Sequence, residues 1–196
     1  MATVGKELVL KLREKTGAGF MDCKQALVES SGDVARAEEA LRRRGVSVAL
    51  RKAARETREG MVESYIHHGS KLGVLVEVGC ETDFVARTED FRALAKALAM
   101  QVAASRPLYV RREDVPADLV EKEKQILSDD IKGKSAEVAQ KILQGKLDKF
   151  YERVCLLEQP YIKEESKRIR DVVTEAIAKV GENIVVRRFV RFEMGE

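Results

Sequence analysis

Two runs decide the fold class: Met61-Val62-Glu63-Ser64-Tyr65-Ile66-His67 and Leu72-Gly73-Val74-Leu75-Val76-Glu77-Val78-Gly79-Cys80, joined by His68-Gly69-Ser70-Lys71. Successive side chains of a strand alternate faces, so Leu72, Val74, Val76, Val78 and Cys80 fall on one side. Two such runs with a short polar, glycine-containing connection predict a hairpin. A third strand is expected at residues 184–194. There Ile184, Val186, Val190, Phe192 and Met194 share one face, and Val185, Arg187, Phe189, Arg191 and Glu193 the other. Three strands make a small sheet, and the pairing of the last with the first two rests on sequence distance alone.

Outward from the sheet the pattern is helical. Thr88-Glu89-Asp90 is a capped, dipole-matched start for a helix carrying Phe91, Leu94, Leu98 and Val102. Pro116 suits the first turn of a helix through about Lys132. Ser135 opens another with Val138, Ile142, Phe150, Val154 and Leu157, which Gly145 is expected to break or kink and Pro160 to stop. A last helix is expected over Glu164–Val180, ended by Gly181. Before the sheet, Val4, Leu8 and Leu12 recur every four residues, with Thr3 as cap and Gly17-Ala18-Gly19 as stop. A second short helix runs from Phe20 to about Glu29, and a third from the Asp33 cap to Gly45. The fold class is therefore α+β, an N-terminal three-helix module followed by a small antiparallel sheet packed with helices. The expected division is a helical docking module at 1–45, a helical linker at 46–60, for which a fourth packed helix is the alternative, and an α+β core at 61–196.

Composition narrows the function. The chain has 196 residues, 44% of them hydrophobic and 35% charged, with a net charge of +3. Basic and acidic residues interleave, as in Glu38-Glu39 before Arg42-Arg43-Arg44, which describes a solvated surface better than a nucleic-acid face. No apolar run approaches the roughly 20 residues of a membrane span, and no secretory leader is expected from the charged start. Cys23, Cys80 and Cys155 are odd in number and form no CxxC pair, which fits reduced thiols in a cytoplasm. No phosphate loop, dinucleotide fingerprint, HExxH or GxSxG occurs. His67 and His68 point to opposite faces of a strand end. Cys80 continues an apolar face, and Glu81 and Asp83 beside it supply no activating charge. Nothing composes an active site, a metal site or a cofactor site, and a protein that works by binding is expected.

The segment Gly79-Cys80-Glu81-Thr82-Asp83-Phe84-Val85-Ala86-Arg87 leaves a strand and enters a capped helix. An aromatic beside a carboxylate at a connection suits an interface anchor. Folding of Phe84 back onto the following helix is the alternative.

Five segments, in order, carry a resemblance. They are Leu12-Arg13-Glu14-Lys15-Thr16-Gly17-Ala18-Gly19-Phe20-Met21-Asp22-Cys23-Lys24-Gln25-Ala26-Leu27; Gly32-Asp33 with Leu41-Arg42-Arg43-Arg44-Gly45; Glu81-Thr82-Asp83-Phe84-Val85-Ala86; Val154-Cys155-Leu156-Leu157-Glu158-Gln159-Pro160-Tyr161; and Val186 through Glu196. Together they resemble the bacterial translation elongation factor Ts family over nearly the whole chain. Phe20 stands where that family commonly has Met. The resemblance implies a guanine-nucleotide exchange factor for elongation factor Tu, binding its GDP-bound and nucleotide-free forms, with no bond chemistry of its own and no cofactor. It implies that Thr82, Asp83, Phe84 and Val85 disturb the partner's nucleotide and Mg²⁺ site. It also implies that the 12–27 region docks on the GTPase, with Leu12, Arg13, Gly17 and Met21 the residues singled out.

Many members of that family are longer, with a core of two related halves. This chain has room for about one, so a homodimer is expected, with Val185 and Phe189 on the outer face of the last strand as a candidate seam. No membrane and no direct nucleic acid are expected as partners. The rival readings are a nucleic-acid-binding protein using Arg42–Arg44 with Arg187, Arg188 and Arg191, and a cysteine-dependent enzyme centred on Cys80.

Overall fold

The computed structural model describes residues 5–128 and 135–195. The element order is α1 (Lys6–Thr16), α2 (Phe20–Glu29), α3 (Val34–Lys52), β1 (Glu59–Ile66), β2 (Leu72–Cys80), α4 (Asp83–Ala86), α5 (Glu89–Ser105), α6 (Ala117–Ser128), α7 (Ala136–Val154), β3 (Pro160–Tyr161), β4 (Glu164–Arg168), α8 (Ile169–Val180) and β5 (Ile184–Glu193). Strands β1, β2 and β5 form an antiparallel sheet in that spatial order, packed against helices. This is the α+β architecture expected from the period-two runs.

The chain divides into two compact units. One comprises Met1–Gly60, Gly79–Arg92 and Val173–Val185; the other comprises Met61–Val78, Ala93–Val172 and Val186–Glu196.

In the first unit, Val9, Leu12, Cys23, Ala26, Leu27 and Ala37 form the core of the α1–α3 module. Helix α1 stops where Gly17 takes a left-handed φ of 66° and its N–H returns to the Arg13 carbonyl at 2.8 Å, a conformation that strains a residue with a Cβ. Asp33 caps α3 by accepting from the Arg36 N–H at 3.1 Å. Gly45 does not end that helix, which continues to Lys52. A mid-helix glycine costs only about 1 kcal/mol, and Gly45 lies buried with Ala178 of α8 close to where its Cβ would be. Thr3 and Val4, the expected cap and first apolar residue of α1, lie outside the described residues; the described helix begins after Gly5, whose side is open to solvent.

The second unit holds most of the sheet. Val74, Val76 and Val78 of β2 are buried, as are Leu94, Leu98 and Val102 of α5. In the hairpin the His67 N–H donates to the Leu72 carbonyl at 2.8 Å, and Gly69 and Ser70 take φ of 88° and 57°. Val115, Phe150, Val154 and Cys155 build a second cluster beside α6 and α7. Helix α7 runs through Gly145 without a break. Helix α6 is described to Ser128, and the expected end near Lys132 lies outside the described residues.

The expected helix over 164–180 starts late. Glu164–Arg168 is instead strand β4, antiparallel to β3 with Tyr161 opposite Glu164 and Pro160 opposite Arg168. Glu164-Glu165-Ser166-Lys167-Arg168 has no apolar residue to bury as a helix face, and the Asp171 carboxylate caps the shorter α8 by accepting from the Arg168 N–H at 3.0 Å.

Candidate functional site

The residues Thr82–Val85 do not form an irregular loop. They open the one-turn helix α4, which follows β2 and precedes α5 in the chain. Thr82 is its N-cap, with an extended backbone and a hydroxyl that accepts from the Val85 N–H at 3.4 Å. One turn after that cap, Val85 is buried at 5% exposure while Phe84 stands 76% exposed. The turn therefore sorts its four residues. Thr82 anchors, Val85 plugs the unit's interior, and Asp83 and Phe84 face out. Phe84 does not fold back onto the following helix. Asp83 pairs with Arg87 at 2.7 Å across one helical turn.

The base of this turn is held by a polar clasp within the same unit. Both carboxylate oxygens of Glu182 are used. Oε2 accepts from the Glu81 and Thr82 N–H groups at 3.1 and 3.0 Å, and Oε1 accepts from the Thr82 hydroxyl at 2.7 Å. Glu81 turns the other way. Its Oε1 accepts from the Asn183 N–H at 2.7 Å and its Oε2 meets Arg55 at 3.3 Å. The Asn183 amide donates to the carbonyls of Ala53 and Arg55 at 3.4 and 2.9 Å. The Lys52 ammonium donates to the Gly181 carbonyl. The Asn183 N–H donor holds the Glu81 carboxyl below its ordinary range, burial opposing it and Arg55 assisting. Neither Glu182 nor Asn183 carries a signal in the sequence, because about a hundred residues or more separate each from its partners.

Cys80 is fully buried, and its Sγ donates to the Thr82 carbonyl at 3.1 Å. Burial, with the Glu182 carboxylate nearby, pushes its thiol up, the reverse of what a nucleophile needs. Cys23 and Cys155 are buried as well. Among the described residues, no group of three or more His, Cys, Asp or Glu side chains is placed to hold a metal ion.

The second set of expected residues lies in the same compact unit, on α1 and α2. Arg13 is exposed and Met21 is 69% exposed, with Phe20 and Leu10 also partly open. Leu12 is fully buried in the core and supports the surface from below. Gly17 forms the turn, with the Lys179 side chain 3.5 Å from where its Cβ would be.

Five of the six arginines of the nucleic-acid reading are engaged by carboxylates. Arg43 pairs with Glu39 at 2.5 Å, Arg44 with Glu29 at 2.6 Å and Arg188 with Glu77 at 2.7 Å. Arg191 meets Glu193, and Arg187 approaches Glu77 at 3.7 Å. Such pairing neutralises the basic stripe that a phosphate backbone would need.

A clasped turn that holds Phe84 and Asp83 outward is a surface suited to binding. The comparison with known proteins makes that reading specific. The family model described as elongation factor TS matches residues 4–196. A protein named elongation factor Ts from Anaeromyxobacter sp. (strain Fw109-5) is 57% identical over 198 residues, covering 100% of this chain and 90% of the relative. Those of Thermodesulfovibrio yellowstonii and Thermotoga petrophila are 56% and 53% identical, each covering at least 97% of this chain and 96% of the relative. The chain belongs to the elongation factor Ts family, and its role is that of a translation elongation factor.

Proposed function

We propose that this protein is a guanine-nucleotide exchange factor that binds elongation factor Tu and promotes GDP release, with Asp83 and Phe84 as the residues that enter the partner. The observation that carries the reading is the exposure of Phe84 on a turn whose neighbours on both sides are fixed. An apolar ring at 76% exposure keeps most of its surface in water. It gains burial on docking, as interface anchors do.

GTPases hold their nucleotide through backbone amides, a lysine and Mg²⁺. A wedge need not touch the nucleotide. It has to favour a partner conformation in which the phosphate and ion ligands are displaced, and factor and nucleotide then oppose each other through one shared coupling free energy. Phe84 supplies the apolar wedge, and Asp83 a charge or acceptor that redirects polar groups. A nanomolar GDP site with an association rate of about 10⁶ M⁻¹s⁻¹ releases at about 10⁻³ s⁻¹. Raising that to about 10 s⁻¹ requires roughly 5.5 kcal/mol. Burial of one phenylalanine contributes about 1.5–3 kcal/mol, so further contacts are needed, and the exposed Arg13 and Met21 of the α1–α3 module are the candidates for them. Thr82 and Val85 act in this scheme by holding the turn rather than by contact. The factor works in the cytoplasm, where its partner cycles.

The protein acts as a homodimer in this reading, and the sheet supports it. The Cβ position of Gly73 lies 3.1 Å from Ile66, so Ile66, Gly73 and Leu75 share the face of the hairpin opposite the buried Val74, Val76 and Val78. Val62 and Ile66 are each 62% exposed, and on β5 Phe192 is 68% exposed. Val185 and Phe189, the seam expected from the sequence, are half-buried, and the open apolar surface of β5 is Val190 and Phe192. An aliphatic and aromatic face of this kind suits a second copy of itself.

The test is release of a fluorescent GDP analogue from purified elongation factor Tu. Substoichiometric amounts of this protein are expected to speed release of the whole bound pool. Release at the spontaneous rate with excess factor would reject the proposal. Sedimentation at micromolar concentration is expected to give the dimer mass, and a monomer there removes the seam.

A further inference from the structure

The exposed turn cannot hold its own shape. A one-turn helix has no stability by itself, since nucleation fixes several residues for one hydrogen bond. Helix α4 spans four residues, so its shape must come from outside it. Attachments lie at its third helical position and just before its first. Val85 is buried below the turn, and Glu182 receives three hydrogen bonds at the residues entering it.

The hydroxyl of Thr82 connects the two. It donates its one proton to Glu182 and accepts from the Val85 N–H, which uses a hydroxyl's donor and one of its two acceptor sites. The carboxylate thus orients the hydroxyl, whose proton faces Glu182 and whose lone pair faces the Val85 N–H. Hydrogen bonds to an ionised acceptor are about twice as strong as neutral ones. Asn183, the next residue, fixes Glu81 from the opposite side. The pair Glu182–Asn183 therefore grips both residues that precede Asp83.

We infer that Glu182 is a positioning residue that presets the Asp83–Phe84 turn in its partner-ready shape, acting through the Thr82 hydroxyl and without touching the partner. The inference rests on the exchange-factor reading of that turn. Preorganisation of this kind removes an ordering cost at the moment of docking. Its loss falls on the step in which the wedge displaces the nucleotide site, and much less on the initial docking, which other surfaces also serve.

The experiment measures GDP release from elongation factor Tu against factor concentration for the full-length wild type and for the Glu182→Ala, Glu182→Gln, Thr82→Val, Thr82→Ser and Phe84→Ala variants. Glu182→Ala and Thr82→Val are expected to lower the maximal release rate about tenfold, the scale of one lost charge-assisted hydrogen bond. The half-saturating concentration is expected to stay within about twofold. Thr82→Ser, which keeps the hydroxyl, is expected to restore the wild-type maximum. The Glu182→Ala/Thr82→Val double variant is expected to be no slower than the slower single one, because both remove the same connection. Glu182→Gln keeps the side chain's volume and carries the test if the alanine variant fails to fold. It sets an amide NH₂ against donors and is expected to slow release as well. A folded Glu182 variant at the wild-type maximum, with Phe84→Ala slow, overturns the positioning role and leaves the exchange reading standing. Phe84→Ala at the wild-type rate overturns both.

Discussion

Asp83 and Arg87 form an ion pair at 2.7 Å across one turn of helix, with both side chains more than 60% exposed. The acid that stands beside Phe84 is therefore already paired before any partner arrives, but by an interaction that water and salt keep weak. Exposed pairs at this spacing contribute about 0.3–0.5 kcal/mol, so a partner's cation or amide can take Asp83 over at little cost. The Arg87→Ala variant is expected to keep the wild-type stability within about 0.5 kcal/mol. A loss of several times that in urea titrations would show that this pair holds the turn, in place of Glu182 and Val85.

Glu158 is the opposite case. Its side chain is 8% exposed and meets Arg112 at 2.6 Å and both Arg168 and Arg170 at 3.2 Å. Removing Glu158 takes the shared acceptor from three partly exposed arginines, at about 1.5–3 kcal/mol. Glu158→Ala is expected to lose stability on that scale by chemical denaturation, far more than Arg87→Ala.

The same carboxyl sets a pH dependence. Burial resists its ionisation, but the Arg112 hydrogen bond and the charges of Arg170, Arg112 and Arg168 outweigh burial and hold Glu158 below the ordinary 4.5. A depressed folded-state pKa means that the unfolded chain binds the proton first as pH falls. The stabilisation is thus fully present above pH 4.5 and is lost as pH drops below that value. Asp148 and Glu81, also held low, act in the same direction. Melting temperature is expected to be flat from pH 7 to about pH 5 and to fall below it. With Glu158→Gln the acid fall is expected to be shallower. An unchanged slope in that variant would show that other carboxyls govern it.

Gly45 offers a stabilising change. It lies inside α3 at ordinary helical geometry, and a Cβ there would sit 3.5 Å from Ala178, at normal contact. Gly45→Ala is expected to raise stability by about 0.5–1 kcal/mol, through helix propensity and a less flexible unfolded chain. A destabilised variant would mean that α3 and α8 pack too closely to admit a methyl group.

All three cysteines are fully buried, and burial pushes the Cys155 thiol up to about 11. Titration of the native protein with a thiol reagent at pH 8 is expected to be slow for Cys23, Cys80 and Cys155, and fast after denaturation. Rapid modification of Cys80 with loss of function would revive the cysteine-dependent reading.

The hairpin and its inward face were legible because alternation over Leu72–Cys80 has one interpretation when Val74, Val76 and Val78 must be buried together. Helix starts at Asp33 and Thr88 were legible from side-chain chemistry, since both side chains accept from the first turn; Ser135 marks the start of α7 without a side-chain cap bond. Gly45 and Gly145 misled, since a glycine signals a helix end only where no packing offsets its modest cost, and both helices continue through it. The β3–β4 pairing escaped because a two-residue strand has no period. In the site, Phe84 stood out as an aromatic beside an acid at a connection. Glu182 and Asn183 were invisible, because their bonds to Thr82 and Glu81 span a hundred residues and follow from the fold rather than from any local pattern.

The proposed exchange mechanism turns on whether an exposed phenylalanine on a clasped turn displaces another protein's nucleotide. The most direct measurement is the release rate of fluorescent GDP from elongation factor Tu at saturating factor, wild type against Phe84→Ala. The variant's maximal rate is predicted to be lower by about tenfold to a hundredfold, the scale of one lost aromatic anchor, with an unchanged far-UV circular dichroism spectrum. A folded Phe84→Ala protein that releases GDP as fast as the wild type would contradict this mechanism.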